Sequence, residues 1–301
     1  MLYTEAKKFT DGLAARGIAP GLGNISALMS ELGDPQDRIK TVHIAGTNGK
    51  GSVGAFLEAI LKSAGYSVGR FSSPAVAEHL EMFTINGTPV SGSDYAECIE
   101  RLIEPIAALE NRGIYITSFE AETAAAFLLF EKHMPDHAII ECGMGGRLDS
   151  TNVLKAPELS VITSVSLDHT AFLGNDLRSI ALEKAGIIKR GVPAVTAEQS
   201  GEVTDVLRDA AAKMDTTLYI TGHPENIRYS DTGTVFDLGD TKSLEISLPG
   251  TYQLKNAAAA VKAAEVLGIG DDAVRRGLHS AKWGFRFERI GKFILDGAHN
   301  P

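Results

Sequence analysis

A short apolar segment that leads directly into a glycine-rich turn is the feature that most restricts the fold. Thr41–Ala45 reads T-V-H-I-A, residues 46–49 form the turn, and a helical pattern follows over 53–64. In such a strand–turn–helix unit, backbone N–H groups and the helix N-terminus can surround a phosphate chain. Lys50, directly after the turn, can pair with phosphate oxygens. The unit therefore predicts an α/β fold with a phosphate-binding loop.

The loop departs from the strict pattern G-x-x-x-x-G-K-[ST]. Ile44 stands at the first glycine position, and Gly51 separates Lys50 from Ser52. The competing interpretation is an ordinary turn between a strand and a helix, with a solvated lysine. The strand before the turn and the helix after it favour phosphate binding.

The rest of the chain alternates short β-type segments with helical patterns, which is typical of parallel α/β sheets. We expect a P-loop-type, mostly parallel sheet flanked by helices, with a small antiparallel β element near 226–248. The predicted strands are 67–71, His137–Glu141, 159–165 and 293–296, with a hairpin over 83–90, and the predicted helices are 3–16, 22–32, 93–111, 120–133, Leu177–Ala185, 202–213 and 256–267.

Charge and cysteine content exclude several classes of protein. The 29 basic and 38 acidic residues give a net charge of −9, which argues against a nucleic-acid binder that works by phosphate neutralisation. Cys98 and Cys142 are the only cysteines, so we expect reduced thiols in a cytoplasmic protein rather than a disulfide framework. The N-terminus lacks the apolar core of a signal peptide, and every apolar run is shorter than the about 18 residues of a membrane span.

Polar side chains follow several predicted strands where ligands of open α/β sheets gather. Glu141 ends one strand, Ser73 follows another, and His169 follows a third. An oxygen-rich set of this kind suits Mg²⁺, which often bridges substrate phosphates. The competing interpretations are that Glu141 pairs with Arg147 and that His169 caps a loop.

Three further polar residues have ordinary structural explanations as well. Lys184 lies near a helix C-terminus, where a solvated lysine is favoured. Asp296 and His299 follow the last predicted strand and fit as turn residues.

An ordered set of segments resembles the folylpolyglutamate synthase/dihydrofolate synthase family, a branch of the Mur-ligase-like ATP-dependent amide ligases. The Lys-Gly-Ser form of the loop is specific to this branch, because the cell-wall Mur ligases place Thr or Ser directly after the lysine. The matching segments include 20–22, 32–36, 43–52, 73–74, 117–120, 141–152, 166–170, 183–189, 256–257 and 296–301.

The resemblance implies a chemistry. A carboxylate of dihydropteroate or of a folate attacks the γ-phosphate of ATP, and the amine of L-glutamate then attacks the acyl phosphate. Two alternatives stay open: a nucleotide-binding module that has lost ligase activity, and a ligase of the same superfamily for a non-folate acid. The resemblance implies small-molecule substrates, and we also expect a monomer with no nucleic-acid or membrane partner.

The resemblance further assigns roles to individual residues. Lys50, Lys184 and His169 would be catalytic, and Lys184 matches the lysine that the family carbamylates. The nucleotide would contact Gly46, Thr47, Asn48, Gly49, Lys50, Gly51, Ser52, Asn256, Arg286, Asp296 and His299; two Mg²⁺ ions would be held by Ser52, Ser73, Glu141, His169 and Lys184; the pterin would lie near Thr117, Phe119, Leu148, Asp149 and Ser150.

The sequence departs from the family pattern at residues 75–83, in the turn before Arg286, and at Tyr252, which stands where a histidine is common. Residues 75–83 lack the usual His-Leu and Glu-Arg-Ile, which puts the choice of acceptor in question, and Gly284-Phe285 replaces the usual Pro-Gly before Arg286. The family also has a second α/β domain that contributes to glutamate binding. We expect residues 1–295 to form the ATP-binding domain and 296–301 to begin that second domain, so that this chain alone has little ligase activity.

Overall fold

The apolar segments assemble into one eight-stranded sheet in the computed structural model, which describes residues 1–168, 170–230, 233–284 and 288–297. The strands are β1 (Thr41–Ala45), β2 (Val68–Phe71), β3 (Phe83–Ile85), β4 (Thr88–Pro89), β5 (His137–Glu141), β6 (Leu159–Ile162), β7 (Ala194–Thr196) and β8 (Leu218–Ile220). Their order is β4-β3-β2-β5-β1-β6-β7-β8. Strand β3 is antiparallel to both of its neighbours, β2 and β4, and the other five pairs of neighbouring strands are parallel, so the predicted mostly parallel sheet is confirmed.

Helices cover both faces of this sheet, as the alternating pattern predicts. The α-helices are α1 (Tyr3–Leu13), α2 (Gly23–Glu31), α3 (Lys50–Ser63), α4 (Gly92–Glu110), α5 (Ser118–His133), α6 (Thr170–Leu173), α7 (Leu177–Ala185), α8 (Gly201–Lys213), α9 (Gln253–Val266) and α10 (Asp271–Ser280), and short 3₁₀ helices span Ala14–Arg16, Pro35–Arg38, His79–Met82 and Ser150–Val153.

Strand β5 shows why two separate cores form. Its five residues are all buried, and successive side chains point to opposite faces of the sheet. Ala138 and Ile140 pack into the core beneath α1, α2, α4 and α5, whereas Ile139 packs into the core beneath α3, α9 and α10. The strand is thus covered on both sides, as parallel strands in α/β proteins are.

The predicted antiparallel element near 226–248 is also confirmed. It is a three-stranded sheet of β9 (Pro224–Tyr229), β10 (Thr234–Leu238) and β11 (Thr241–Ile246), in the order β11-β10-β9. Phe236, Leu244 and Ile246 point into the same core as α9 and α10. This small sheet therefore closes one side of the larger domain.

Three details differ from the sequence-based expectation. Helix α3 begins at Lys50, three residues earlier than expected, so the lysine belongs to its first turn. The last strand, β13 (Phe293–Leu295), pairs only with β12 (Glu288–Ile290) in a separate two-stranded sheet. The elements β7, β8 and α10 were not predicted at all. Within the described residues, no helix combines the length and the apolar character that crossing a membrane requires.

Candidate active site

The glycine-rich loop after β1 is shaped by two close approaches of its backbone to other segments. Gly49 has φ +89°, and a Cβ there would lie 2.2 Å from Asn256 Oδ1. At Gly46 a Cβ would lie 1.8 Å from Thr163 Oγ1. A side chain at either position would collide with a neighbour, so glycine is required for the loop to adopt this path.

Hydrogen bonds fasten the same loop to the segment that follows β6. The Thr47 backbone N–H donates to Ser164 O (2.7 Å), and Thr47 Oγ1 donates to Ser166 O (3.0 Å). Thr163 Oγ1 donates to Asn48 O at 2.7 Å. These bonds hold polar groups of the loop in fixed positions against the segment after β6.

Lys50 folds back over this loop at the start of α3. Its Nζ donates to Gly46 O (3.3 Å) and Thr47 O (3.4 Å), and it lies 4.0 Å from Glu141 Oε1. The lysine side chain is only 16% exposed. Because the N-terminus of a helix already carries partial positive charge, a lysine there creates a site for an anion.

Glu141 and the hydroxyls after β2 lie on neighbouring strand ends. In the sheet register Phe71 is paired with Ile140 and Ile44 is paired with Glu141, so the end of β5 lies between the ends of β2 and β1. Ser73 comes two residues after β2. Glu141 and Ser73 therefore lie at the same carboxyl edge of the sheet.

The competing ion pair between Glu141 and Arg147 is wrong. Arg147 Nη2 instead lies 2.7 Å from Glu183 Oε1, on the last turns of α7. The cation near the carboxylate of Glu141 is Lys50, whose Nζ lies 4.0 Å from Oε1.

Lys184 is not the solvated helix-end lysine that its position suggests, because only 2% of it is exposed. Burial, assisted by the nearby positive charge of Lys50, lowers its pKa to about 8. The glycines after β5 allow this burial, since a Cβ at Gly146 would lie 3.0 Å from Lys184 O. A substantial fraction of Lys184 is therefore a neutral amine near pH 8, and such an amine is a nucleophile.

Asp149 anchors a buried hydrogen-bond network beneath the strand ends. Its carboxylate accepts from the backbone N–H groups of Met144 (2.8 Å) and Thr151 (3.0 Å) and from Thr151 Oγ1. Thr151 Oγ1 also lies 2.8 Å from His43 Nε2, which lies 3.1 Å from Cys142 Sγ. Burial lowers the pKa of His43 to about 3 and raises that of Asp149. Asp149 thus shapes the turn 143–151.

His43, Cys142 and Thr151 in this network were missed by the sequence analysis. A histidine inside an otherwise apolar strand was the available signal, because a buried imidazole needs a hydrogen-bond partner. Among the remaining candidates near this turn, Ser150 is buried and Leu148 is 37% exposed.

Thr117 and Phe119 begin helix α5. Thr117 is its N-cap, and its Oγ1 accepts from the Glu120 backbone N–H (3.3 Å) and donates to Glu120 Oε2 (2.9 Å). Phe119 stacks on Phe71 with ring centroids 6.2 Å apart and packs against Gly143, where a Cβ would lie 2.6 Å from its ring. The aromatic ring thereby borders the turn that follows β5.

Helix α9 reaches the phosphate loop from the other side. Gln253 Nε2 donates to Ser52 Oγ (3.3 Å), and Asn256 Nδ2 donates to Gln253 Oε1 (2.9 Å). Tyr252 OH donates to Asp296 Oδ2 at 3.2 Å. The first turn of α9 therefore connects Ser52 and Asp296, two of the candidate nucleotide contacts, although they are far apart in sequence.

Three candidates, His169, Arg286 and His299, lie outside the described residues. Within the described part of the chain, no group of three or more His, Cys, Asp or Glu side chains could hold a metal ion. The donor set at the strand ends instead consists of one carboxylate with hydroxyl groups. That set fits Mg²⁺, which takes few protein ligands and keeps waters and substrate phosphates.

Comparison with known proteins agrees with this geometry. Residues 44–264 match the family model of the Mur ligase middle domain. The chain is 39% identical over 317 residues to the dihydrofolate synthase/folylpolyglutamate synthase of Bacillus subtilis, across 99% of this chain and 73% of that protein.

Solved structures give the same result. A complex of FPGS with AMPPCP and folate has a TM-score of 0.93 and 31% identity, covering 100% of this chain and 78% of that one. The folylpolyglutamate synthase of Thermotoga maritima has a TM-score of 0.87 and 35% identity, covering 99% and 71%. Coverage, identity and the shared loop together lead to one conclusion: the chain belongs to the folylpolyglutamate synthase/dihydrofolate synthase family of Mur-type ligases.

Proposed function

We propose that this protein is an ATP-dependent ligase that joins L-glutamate to dihydropteroate, to the γ-carboxyl of folate polyglutamates, or to both. The observation that carries the proposal is the pre-shaped loop at the N-terminus of α3, with Lys50 Nζ facing Glu141 at 4.0 Å. Family membership supplies the substrate class. Residues 1–295 would form the ATP-binding domain and 296–301 would begin a glutamate-binding domain, which the greater length of the relatives supports.

In the first half-reaction, a substrate carboxylate oxygen attacks the γ-phosphorus while the bond to the ADP oxygen breaks. The loop amides and the α3 N-terminus would hold the triphosphate, and Lys50 would stabilise the negative charge on its transferring oxygens. The glutamate amine then attacks the acyl carbon, loses a proton and expels phosphate. Positioning by the fastened loop would supply much of the rate, since little of this chemistry needs a protein nucleophile.

Glu141, Ser52 and Ser73 would hold Mg²⁺, with Lys184 as a further oxygen ligand once its amine has reacted with carbon dioxide to form a carbamate. A carbamate converts a cation into an anion, and the lowered pKa of Lys184, about 8, supplies the neutral amine that this conversion requires. Bound Mg²⁺ would neutralise phosphate charge. His169 is proposed as a ligand of a second ion.

The acceptor would bind between the start of α5 and the turn after β5, near Thr117, Phe119 and Leu148. Residues 75–83 border this region and differ from the family pattern, yet they are well fastened: Glu81 accepts hydrogen bonds from the backbone N–H groups of Ala77 (3.0 Å) and Glu78 (3.2 Å). We further propose that the protein is a monomer and that it is cytoplasmic; the free thiols of Cys98 and Cys142 support the second of these proposals.

ADP release by the full-length protein, measured with ATP, glutamate and each candidate acceptor in turn, tests the proposal. We expect ADP formation to require dihydropteroate or a reduced folate, and Lys50→Ala to lower the rate roughly a hundredfold or more. Lys8→Ala, an exposed lysine on α1, is the matched control. ATP binding without turnover on any acceptor would indicate a nucleotide-binding module, and turnover on a non-folate acid would reassign the substrate.

A further inference from the structure

A second polar cavity lies beside α3, away from the phosphate loop. Its volume is about 440 Å³; it is open to solvent on one side and is bordered by α3, by the β3–β4 hairpin and by the segment after α10. Its charged lining residues are Glu58, Lys62, Arg70 and Lys282. Asn86, at the hairpin turn, places one end of the cavity at the amino end of β2, because its side chain accepts from the Val68 backbone N–H.

Arg70 is buried in this cavity without adequate hydrogen bonding. Only 6% of the residue is exposed, and its Nε and Nη1 have no hydrogen-bond partner within the described chain. Glu58 Oε2 lies 3.2 Å from Nε, but the pair lacks hydrogen-bond alignment, and Glu58 Oε1 also has no hydrogen-bond partner among the described residues. Buried polar groups are almost always satisfied in native proteins, so this arrangement points to a ligand that supplies acceptors.

The charge of the lining selects an anion. Arg70, Lys62 and Lys282 contribute three positive charges against the single carboxylate of Glu58. The Trp283 ring covers one face of the guanidinium, with Arg70 Cζ 4.2 Å from the ring centroid. Of the three guanidinium nitrogens, Nη2 alone is not fully buried, so its N–H groups are the donors that can reach an oxygen of a carboxylate or phosphate in the cavity.

We propose that the cavity beside α3 is an oxyanion site, distinct from the phosphate loop, which binds a phosphate or carboxylate group through Arg70, Lys62 and Lys282. This site does not depend on the proposed ligase reaction. Trp283 links it to the loop physically, since a Cβ at Gly51 would lie 2.8 Å from the indole Cζ2. An anion that draws the guanidinium away from the ring would therefore change the environment of a residue in contact with the loop.

Trp283 also supplies the measurement, because it is the only tryptophan of the chain. We would titrate the protein with inorganic phosphate and, separately, with glutarate, following indole fluorescence and the heat of binding. We expect saturable binding of at least one of the two, with a fluorescence change that persists in Lys50→Ala. A signal lost in Lys50→Ala would place the anion at the phosphate loop and overturn the proposal.

Variants within the cavity separate charge recognition from folding. Lys282→Met removes an exposed cation and should weaken anion binding severalfold without affecting the fold, whereas Arg70→Met should weaken it about tenfold or more. Glu58→Gln removes the repelling carboxylate and should tighten binding. Lys8→Met, far from the cavity, should leave affinity unchanged. Absence of saturable binding by both anions, or equal affinities in Lys282→Met, Glu58→Gln and the parent protein, would contradict the site.

Discussion

Helix α3 borders both the phosphate loop and the cavity with Arg70, and buried polar groups are hydrogen-bonded in the first but incompletely so in the second. At its N-terminus, the carbonyl of Asn48 and the backbone N–H and hydroxyl groups of Thr47 have partners in the segment after β6. Along its flank, Arg70 and Glu58 are just as buried, yet they retain atoms with no partner in the described chain. The first arrangement fixes a shape in advance. The second carries a free-energy cost that an incoming group can relieve.

Arg70→Met is the substitution with the largest expected effect on this contrast. It leaves the Glu58 carboxylate buried without a counter-charge, so we expect a loss of about 3–5 kcal/mol in the free energy of unfolding. Arg70→Met combined with Glu58→Gln should recover most of that loss. Urea denaturation of the parent, the two single variants and the double variant measures the coupling. Additive effects would show that the two side chains do not stabilise each other.

Lys184→Met tests a buried cation at the end of α7, close to the phosphate loop. The pKa of Lys184 in the folded state is about 8, below its ordinary value of 10.5. Between these two pH values the unfolded chain binds more protons than the folded chain, so the stability of the fold rises with pH across this range. Below pH 8 Lys184 is charged in both states, and its burial then lowers the free energy of unfolding by the full amount. We expect Lys184→Met to raise the unfolding free energy by up to about 3 kcal/mol at pH 7. The gain should shrink as the pH rises from 8 toward 10.5.

Denaturation at several pH values in bicarbonate-free buffer measures this change. Carbon dioxide must be excluded, because it reacts with the neutral amine that the experiment monitors. A gain that is constant from pH 7 to pH 10 would show that Lys184 has an ordinary pKa in the folded state.

Gly49→Ala tests whether the phosphate loop can accommodate a side chain at Gly49. Positive φ and the contact with Asn256 Oδ1 should together cost about 1–3 kcal/mol of stability and reduce the ATP-induced rise in melting temperature. Adding Asn256→Ala should return the part of the cost that comes from the collision. Gly12→Ala is the control: a Cβ added at this helical glycine would meet no atom within 4 Å among the described residues, and alanine there should stabilise slightly.

Thr117→Ala has the smallest expected effect, about 1 kcal/mol, because it removes the N-cap of α5. Thr117→Asn keeps a capping side chain but changes its shape. If the residue also contacts the acceptor, Thr117→Asn should raise the KM for folate while leaving thermal stability unchanged. An unaltered KM would restrict Thr117 to its capping role.

The positions of Lys50 and Glu141 at the strand ends could be predicted from the sequence, because each residue stands next to a recognisable local pattern. Lys50 follows a glycine turn, and Glu141 ends an apolar strand, so sheet topology alone brings them to one edge. Lys184 could not be judged in the same way. Its burial depends on the close packing of Gly146 against the end of α7, a contact between segments that no local pattern encodes.

The cavity region was missed for a similar reason. Arg70 lies within a predicted strand, and its burial requires α3 above it and Trp283 beside it. Helix α10 was missed because its inward face is made of few and small residues. A Cβ at Gly277 would lie only 2.3 Å from Ile60 Cα, so that face is recognisable only against its partner, α3.

The two outer strands of the large sheet determine whether another copy of the protein can add a strand to it at high concentration. β4 has two residues and includes Pro89, which has no N–H to donate, and β8 at the opposite margin has three residues. Neither margin offers a long row of unpaired backbone groups on which another molecule could extend the sheet. Addition of a strand to the large sheet would thus have to begin with local unfolding at one of these margins.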